Sequence, residues 1–296
     1  MALLLSVLEQ GMIYGILALG VYITYKILDF PDLTVDGSFP FGAAITVRLI
    51  NGFGVPAILT LPIAFLGGAL VGICTGLIHV KCKVRDLLSG IIMMTALWTI
   101  NLRVAGTANV PLFSQKTIFK NDTLDKLLPS GFSAYSTLLI ILIIALIVKI
   151  ILDLYLNTKS GYLLRAVGDN DKLVTAMAKD EGNVKILGLA IANGLCSLAG
   201  CIFCQEERVF EISSGTGAMV IGLASVIIGT SIFKKISFVK TTTAVLIGSI
   251  IYKACVAIAL KNFEPQDMKL ITAVLFLVIL VLSMERKKKV RKNAGA

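Results

Sequence analysis

Three carboxylates, Asp29, Asp32 and Asp36, fall within eight residues between two apolar stretches. A carboxylate at membrane depth is costly unless it is hydrated, paired or hydrogen-bonded. The run Asp29-Phe30-Pro31-Asp32-Leu33-Thr34-Val35-Asp36-Gly37 is therefore expected to border a hydrated vestibule or a solute path. Asp32 and Asp36 are placed to cap the short helix that starts near Ser38. A plain interfacial loop is the competing reading. A second set lies between Leu87 and Arg103, where helical stacking puts Gly90, Met94, Leu97 and Asn101 on one face. With Met93 and Trp98 beside it, that face is either an adaptable wall for an apolar or aromatic solute or ordinary packing with an interfacial Trp. A zwitterionic solute needs partners for its ammonium and its carboxylate, and Thr34, Asp36, Ser38, Asn101, Ser213 and Ser214 could supply them. The expected path is thus lined by Asp32, Thr34, Asp36, Ser38, Phe39, Met93, Met94, Leu97, Trp98, Asn101, Ser213 and Ser214.

Other chemistries have little material. The one histidine, His79, stands near Lys81 with no acidic metal motif and no serine pairing, which argues against a membrane-embedded enzyme and against a bound metal. Cys201 and Cys204 are one helical turn apart and read as packing, and the six cysteines suggest no disulfide framework. No Gly-x-x-x-x-Gly-Lys-Ser/Thr loop is present, so this chain holds no ATP of its own.

The elements that must position these residues follow from composition. Of 296 residues, 56% are hydrophobic and 16% charged, with a mean hydropathy of +0.88. A soluble domain carries about a quarter of its residues as charges, so the chain is expected to be an all-α integral membrane protein forming a single transmembrane domain over residues 1–296. A crossing needs about 20 apolar residues. Nine apolar segments satisfy or approach that length, at about 3–28, 39–51, 55–79, 86–105, 134–156, 185–205, 216–233, 239–260 and 268–284. This gives eight to ten helices, with 39–51 and 216–233 read as broken or half helices. The first segment lacks a preceding basic stretch and contains Glu9, so it is read as retained and not as a signal peptide.

The net charge of +10 could suggest nucleic acid, but the basic residues alternate by loop. With the C-terminus inside, seventeen Lys and Arg fall on the cytoplasmic side, counting the tail 285–296, and six on the other. That is the positive-inside pattern of a multi-pass plasma-membrane protein, with no call for nucleic acid. A weak repeat is also visible: a Gly-rich helix, a polar break and a short small-residue helix recur at 11–44 and 188–219, five crossings apart and hence inverted.

The segment 156–185 has a glycine-bounded pattern. Ala166 to Gly168 is a plausible stop, Asp169, Asn170 and Asp171 are cap candidates, and Leu173, Ala176, Met177 and Asp180 follow at helical spacing until Gly182. Such a projecting amphipathic helix with mixed charges suits docking on another protein.

An apolar helix, then Arg165-Ala166-Val167-Gly168-Asp169, a short helix, a glycine and a Gly/Ala-rich crossing resembles the cytoplasmic coupling loop of permeases in the branched-chain amino acid and ribose ABC importer superfamily. Asp32 to Phe39 and Ser89 to Arg103 look similar to one branch, the tryptophan- and tyrosine-type permeases of Gram-positive bacteria. The resemblance spans about residues 10 to 284. It implies a bundle like the type II importers, working as a homodimer with two cytoplasmic ATPases, on which ATP and Mg are bound. An extracellular lipid-anchored protein would deliver the solute. Coupling to the ATPase would fall on Leu163, Arg165, Asp169, Asn170, Leu173, Ala176, Met177 and Gly182. The outer charges Lys116, Lys120, Glu206, Glu207 and Arg208 would dock the binding protein. The substrate expected from the branch is an aromatic amino acid moved by alternating access. The alternative is an ion- or proton-coupled secondary transporter, for which Glu9, Asp36 and Lys253 are the available deep charges.

Overall fold

The structure, a computed structural model, describes residues 2–121, 133–169, 180–234, 236, 238–260, 267 and 269–281. Helix α1 covers Ala2–Val21 and continues as a π-helical turn, Tyr22–Ile27. Its widened end is closed by the amides of Leu28 and Phe30, which donate to the carbonyls of Ile23 and Thr24, each at 2.9 Å. The chain then turns through Asp29, at φ +53°, into the short helix α2, Val35–Val47. Next come α3, Thr60–Val80, α4, Asp86–Ala105, and a three-residue strand β1, Asn109–Pro111. Helices α5, Ser133–Leu156, and α6, Lys159–Asp169, precede the long α7, Glu181–Glu207. Strand β2, Val209–Glu211, and a 3₁₀ turn, Ile212–Gly215, lead into α8, Ala218–Ile232. Finally come α9, Thr241–Leu260, and α10, Lys269–Val281.

Each of the nine apolar segments holds a helix. Among the described residues seven helical stretches are long and apolar enough to cross a membrane, whereas α2 and α10 are shorter. The only sheet among the described residues is β1 against β2, antiparallel with Val110 opposite Phe210. All six cysteines are free.

The repeat is present and inverted. In both α1–α2–α3 and α7–α8–α9, a long helix, a break and a short helix precede a third helix. Close contacts pair Leu17 with Cys196, Gly20 with Ala192 and Leu28 with Gly188, so α1 and α7 run antiparallel. The units also exchange partners: α3 packs along α7, α9 along α1, α2 on α7 and α8 on α1. Between transmembrane helices, where no hydrophobic force drives association, such contact needs small residues that let backbones approach. Gly68, Gly72 and Gly76 provide them on α3, and Gly11 and Gly15 on α1. A Cβ at Gly72 would stand 2.2 Å from the Leu189 carbonyl oxygen, which fixes α3 and α7 at backbone contact. The core forms where α1, α2 and α7 meet, around Ile16, Leu17, Phe39, Leu195 and Cys196.

A polar junction between the two helix breaks

The break after α1 is held by Asp32, which is fully buried. One carboxylate oxygen accepts from the Thr34 amide at 2.9 Å, a local turn that sets the chain up for α2. The other accepts from Asn193 Nδ2 at 2.7 Å, halfway along α7. The same Asn193 accepts through Oδ1 from Ser38 Oγ at 2.7 Å, and its amide also donates to the Leu189 carbonyl at 3.1 Å. Thr34 Oγ1 lies 3.1 Å from Thr75 Oγ1 on α3. Every member is buried, so one carboxylate and one amide fasten α2 to α7 and α3 at a depth where water is scarce.

Asp36 has a different partner from the one its position in the first turn of α2 suggests. Its Oδ1 accepts from the Met219 amide at 2.7 Å and its Oδ2 from the Gly217 amide at 3.1 Å, so it caps α8, not α2. Neither aspartate therefore caps the helix from near Ser38 as expected: that helix starts at Val35, and its N-cap Thr34 makes no side-chain cap bond. The reason is geometric. Pro40 cannot donate to the Asp36 carbonyl, and Gly215 packs against that carbonyl and the Pro40 ring, which brings the start of α8 to the start of α2. Two helix N-termini with their positive dipole ends thus meet around one carboxylate.

On α4 the buried face is Ser89, Gly90, Met93, Leu97 and Asn101. Met93 replaces the expected Met94, which is half-buried, and Trp98 points out of the bundle at 49% exposure. Leu97 fills the space beside Gly37, and Asn101 Nδ2 donates to the Gly37 carbonyl at 3.1 Å while its Oδ1 is buried without a partner. Thr34, Ser38 and Phe39 are buried. Ser213 and Ser214 are half-buried in the 3₁₀ turn, with Ser213 Oγ donating to Glu211. The structure thus brings Asp32, Thr34, Ser38, Leu97 and Asn101 together against the two breaks, and leaves Met94 and Trp98 outside that cluster.

Contacts sort the remaining residues to two ends. At one end Arg208, in the left-handed region at φ +58°, donates to the Phe113 and Gln115 carbonyls and clasps the loop after β1. Lys116, Lys120 and Glu207 are exposed there, while Glu206 turns inward with Oε2 buried. Lys116 also borders a cavity of about 740 Å³ shared with Ile50, Pro56 and Ile58. At the other end α6 docks through Leu164 onto Gly188 and Leu28, and Gly168 lies against the Ile27 carbonyl. Leu163 is half-buried, and Arg165 and Asp169 are exposed. The stop expected at Ala166 to Gly168 is not there, since the helix continues to Asp169. Asp180 and Gly182 belong to the next element: Asp180 caps α7 by accepting from the Gly182 amide at 2.9 Å. Asn170, Leu173, Ala176, Met177 and the tail 285–296 lie outside the described residues.

Asn193, Thr75, Ser197 and Gln205 are missing from the sequence expectations. Their signal is a polar side chain inside an apolar segment, which at membrane depth asks for a partner. Gln205 Nε2 donates to Thr60 Oγ1 at 2.9 Å and its Oε1 accepts from the Ile118 amide at 3.1 Å, tying α7 to α3 and to the loop after β1.

The family model of branched-chain amino acid transport system permease components matches residues 3–284. The chain is 43% identical over 279 residues to a tyrosine transport system permease protein of Clostridioides difficile, covering 94% of this chain and 90% of that protein. It is 30% identical over 228 residues to a protein of Methanocaldococcus jannaschii named as a probable branched-chain amino acid transport permease, covering 73% and 70%. A ribose import permease protein of Haemophilus influenzae is 24% identical over 227 residues, covering 76% and 68%. No solved structure matches. The chain belongs to the branched-chain amino acid transport permease family and is a multi-pass membrane component of an ABC-type transport system.

Proposed function

We propose that this permease component imports an aromatic amino acid, tyrosine or tryptophan, by ATP-driven alternating access. The observation that carries the reading is the junction at Asp36, where α2 and α8, the helices that follow the breaks of two inverted units, meet N-terminus to N-terminus. Discontinuous helices of inverted repeats are the elements at which transporters of several folds place a solute path. Asp36 already satisfies the N-terminus of α8, so the junction acts as a hinge beside the path. Asp32, Thr34, Ser38, Phe39, Leu97 and Asn101 hold that hinge. The partly exposed Met94, Trp98, Ser213 and Ser214 then face the solute, with Met93 behind them. The aromatic substrate rests on the likeness to the tyrosine permease.

In this reading the Arg165 end and the C-terminus are cytoplasmic, which the excess of Lys and Arg on that side supports. The ATPase then docks on Leu163, Arg165 and Asp169 and on the segment carrying Asn170, Leu173, Ala176 and Met177, ahead of Gly182. From there a push on α6 reaches Ile27 and Leu28 and hence the break that carries Asp32. ATP and Mg belong to the ATPase. A second copy of this chain completes the path, and the binding lipoprotein docks on Lys116, Lys120, Glu207 and Arg208, with Glu206 behind them. The test is ATPase activity of the permease reconstituted with its ATPase. Stimulation by the loaded binding protein, lost at least tenfold in Arg165→Glu with Asp169→Lys, is expected. No stimulation, or full stimulation of the double variant, would sink the reading.

A further inference from the structure

Lys253 lies within α9 at 6% exposure, an ammonium inside a membrane-spanning helix. An ionisable group at such depth is rare because it must find a partner or retain water. Among the described residues its partners are few and soft. Its Nζ sits 3.7 Å from the centroid of the Tyr14 ring on α1 and donates to Gln10 Oε1 at 3.4 Å, a long hydrogen bond. Gln10 passes the link on, with Nε2 donating to Glu207 Oε1 at 3.1 Å at the end of α7. Glu206 and Glu207 both lie within electrostatic range of the ammonium, and Glu206 Oε2 is buried without a donor. Tyr14 in turn stacks on Phe39 of α2 with ring centroids 5.6 Å apart. One cation therefore connects α9 to α1 directly, to α7 through Gln10, and to α2 through an aromatic pair.

The opposite end is built differently. Asp153 on α5 accepts from Thr242 Oγ1 at 2.6 Å and pairs with Lys149 Nζ at 3.1 Å and Lys240 Nζ at 3.3 Å. A carboxylate with three partners resists separation, because removing them leaves a charge uncompensated. On opening, the Lys253 cluster loses the long Lys253–Gln10 hydrogen bond, the Gln10–Glu207 hydrogen bond and a ring contact, and water entering with the motion can solvate the ammonium and the spare Glu206 oxygen. In the conformation described, the Asp153 end is pinned and the Lys253 end is poised to part.

We propose that Lys253, bridged through Gln10 to Glu207, is a releasable latch holding the outer ends of α1, α7 and α9 together, and that it parts when the carrier opens outward. The latch rests on the alternating-access reading and adds the place where the outer side separates. Lys253 is a positioning residue in this role and touches no substrate.

The test uses the full complex of permease, ATPase and binding protein in proteoliposomes. A Gln10→Cys, Glu207→Cys pair is joined by a short bifunctional methanethiosulfonate reagent, with linkage checked by mass spectrometry and the unsubstituted complex treated alike. Linked protein is expected to fall at least tenfold in uptake below the same double variant before linking, and to return to that variant's own level on reduction. Linked protein that transports at the full rate would overturn the latch, as would a pair that cannot be linked in the resting complex. A second variant, Lys253→Met, is expected to raise ATPase turnover in the absence of binding protein several-fold, with Lys253→Arg restoring control. Unchanged dependence on binding protein in Lys253→Met would also contradict the latch. Absence of ATP-driven uptake by the untreated, unsubstituted complex would overturn the functional reading and the latch with it.

Discussion

Asp32 and Asp36 are four residues apart and serve different helices. Asp32 completes a buried set with Asn193, Ser38 and Thr34, whereas Asp36 holds the start of α8 from across the inverted repeat. Removing an acceptor from such a set leaves its donors buried and unpaired, at about 1–3 kcal/mol each. Asp32→Ala strands one N–H of the Asn193 side-chain amide and the Thr34 backbone amide, so a loss of about 3 kcal/mol is expected, read as a lowered midpoint of thermal unfolding in detergent. An unchanged midpoint would mean that the set does not hold the break. The type of these residues was legible, since carboxylates between apolar runs ask for partners. Their partners were not: Asn193 is 161 positions from Asp32, and Met219 is 183 from Asp36. The α4 face shows a smaller error. Glycine and asparagine fixed most of the stripe, but choosing Met93 over Met94 required knowing which side of the turn faces Asp32 and Leu33, and Gly90 meets those residues only in the folded chain.

The helices themselves were legible because length and apolar content decide a crossing: each of the nine segments holds a helix, and among the described residues seven helical stretches are long enough to cross. Where the elements end was not legible. The π-helical turns at Tyr22–Ile27 and Arg48–Gly52 depend on how α1 and α2 close against their neighbours, and no residue type encodes that. The close seams make a sharper prediction at this scale. A Cβ at Gly42 would stand 1.8 Å from the Ser197 carbonyl oxygen, whereas one at Gly52 meets nothing nearer than 3.5 Å. Gly42→Val is therefore expected to push α2 off α7 and to lower the yield of monodisperse protein several-fold by size-exclusion chromatography, while Gly52→Ala leaves it unchanged. Equal yields would show that the backbones do not meet at that seam.

At the scale of the whole molecule the basic excess becomes an orientation. Cys82 is exposed in the short connection between α3 and α4, among Lys81, Lys83 and Arg85. If that end is cytoplasmic, a membrane-impermeant thiol reagent labels Cys82 in inverted vesicles and not in intact cells; the reverse pattern would invert the topology. Fold class was legible from composition alone, the inverted repeat only faintly, because its two halves share a pattern of glycines and breaks more than a sequence. What joins them is physical: antiparallel long helices, exchanged neighbours and one carboxylate shared between two helix starts. The most direct measurement of what this assembly does is uptake of radiolabelled tyrosine and tryptophan by proteoliposomes holding the permease, its ATPase and its binding protein. The predicted result is accumulation that requires ATP on the ATPase side and persists after ionophores collapse every ion gradient. Accumulation without ATP that follows an imposed proton or sodium gradient would contradict it.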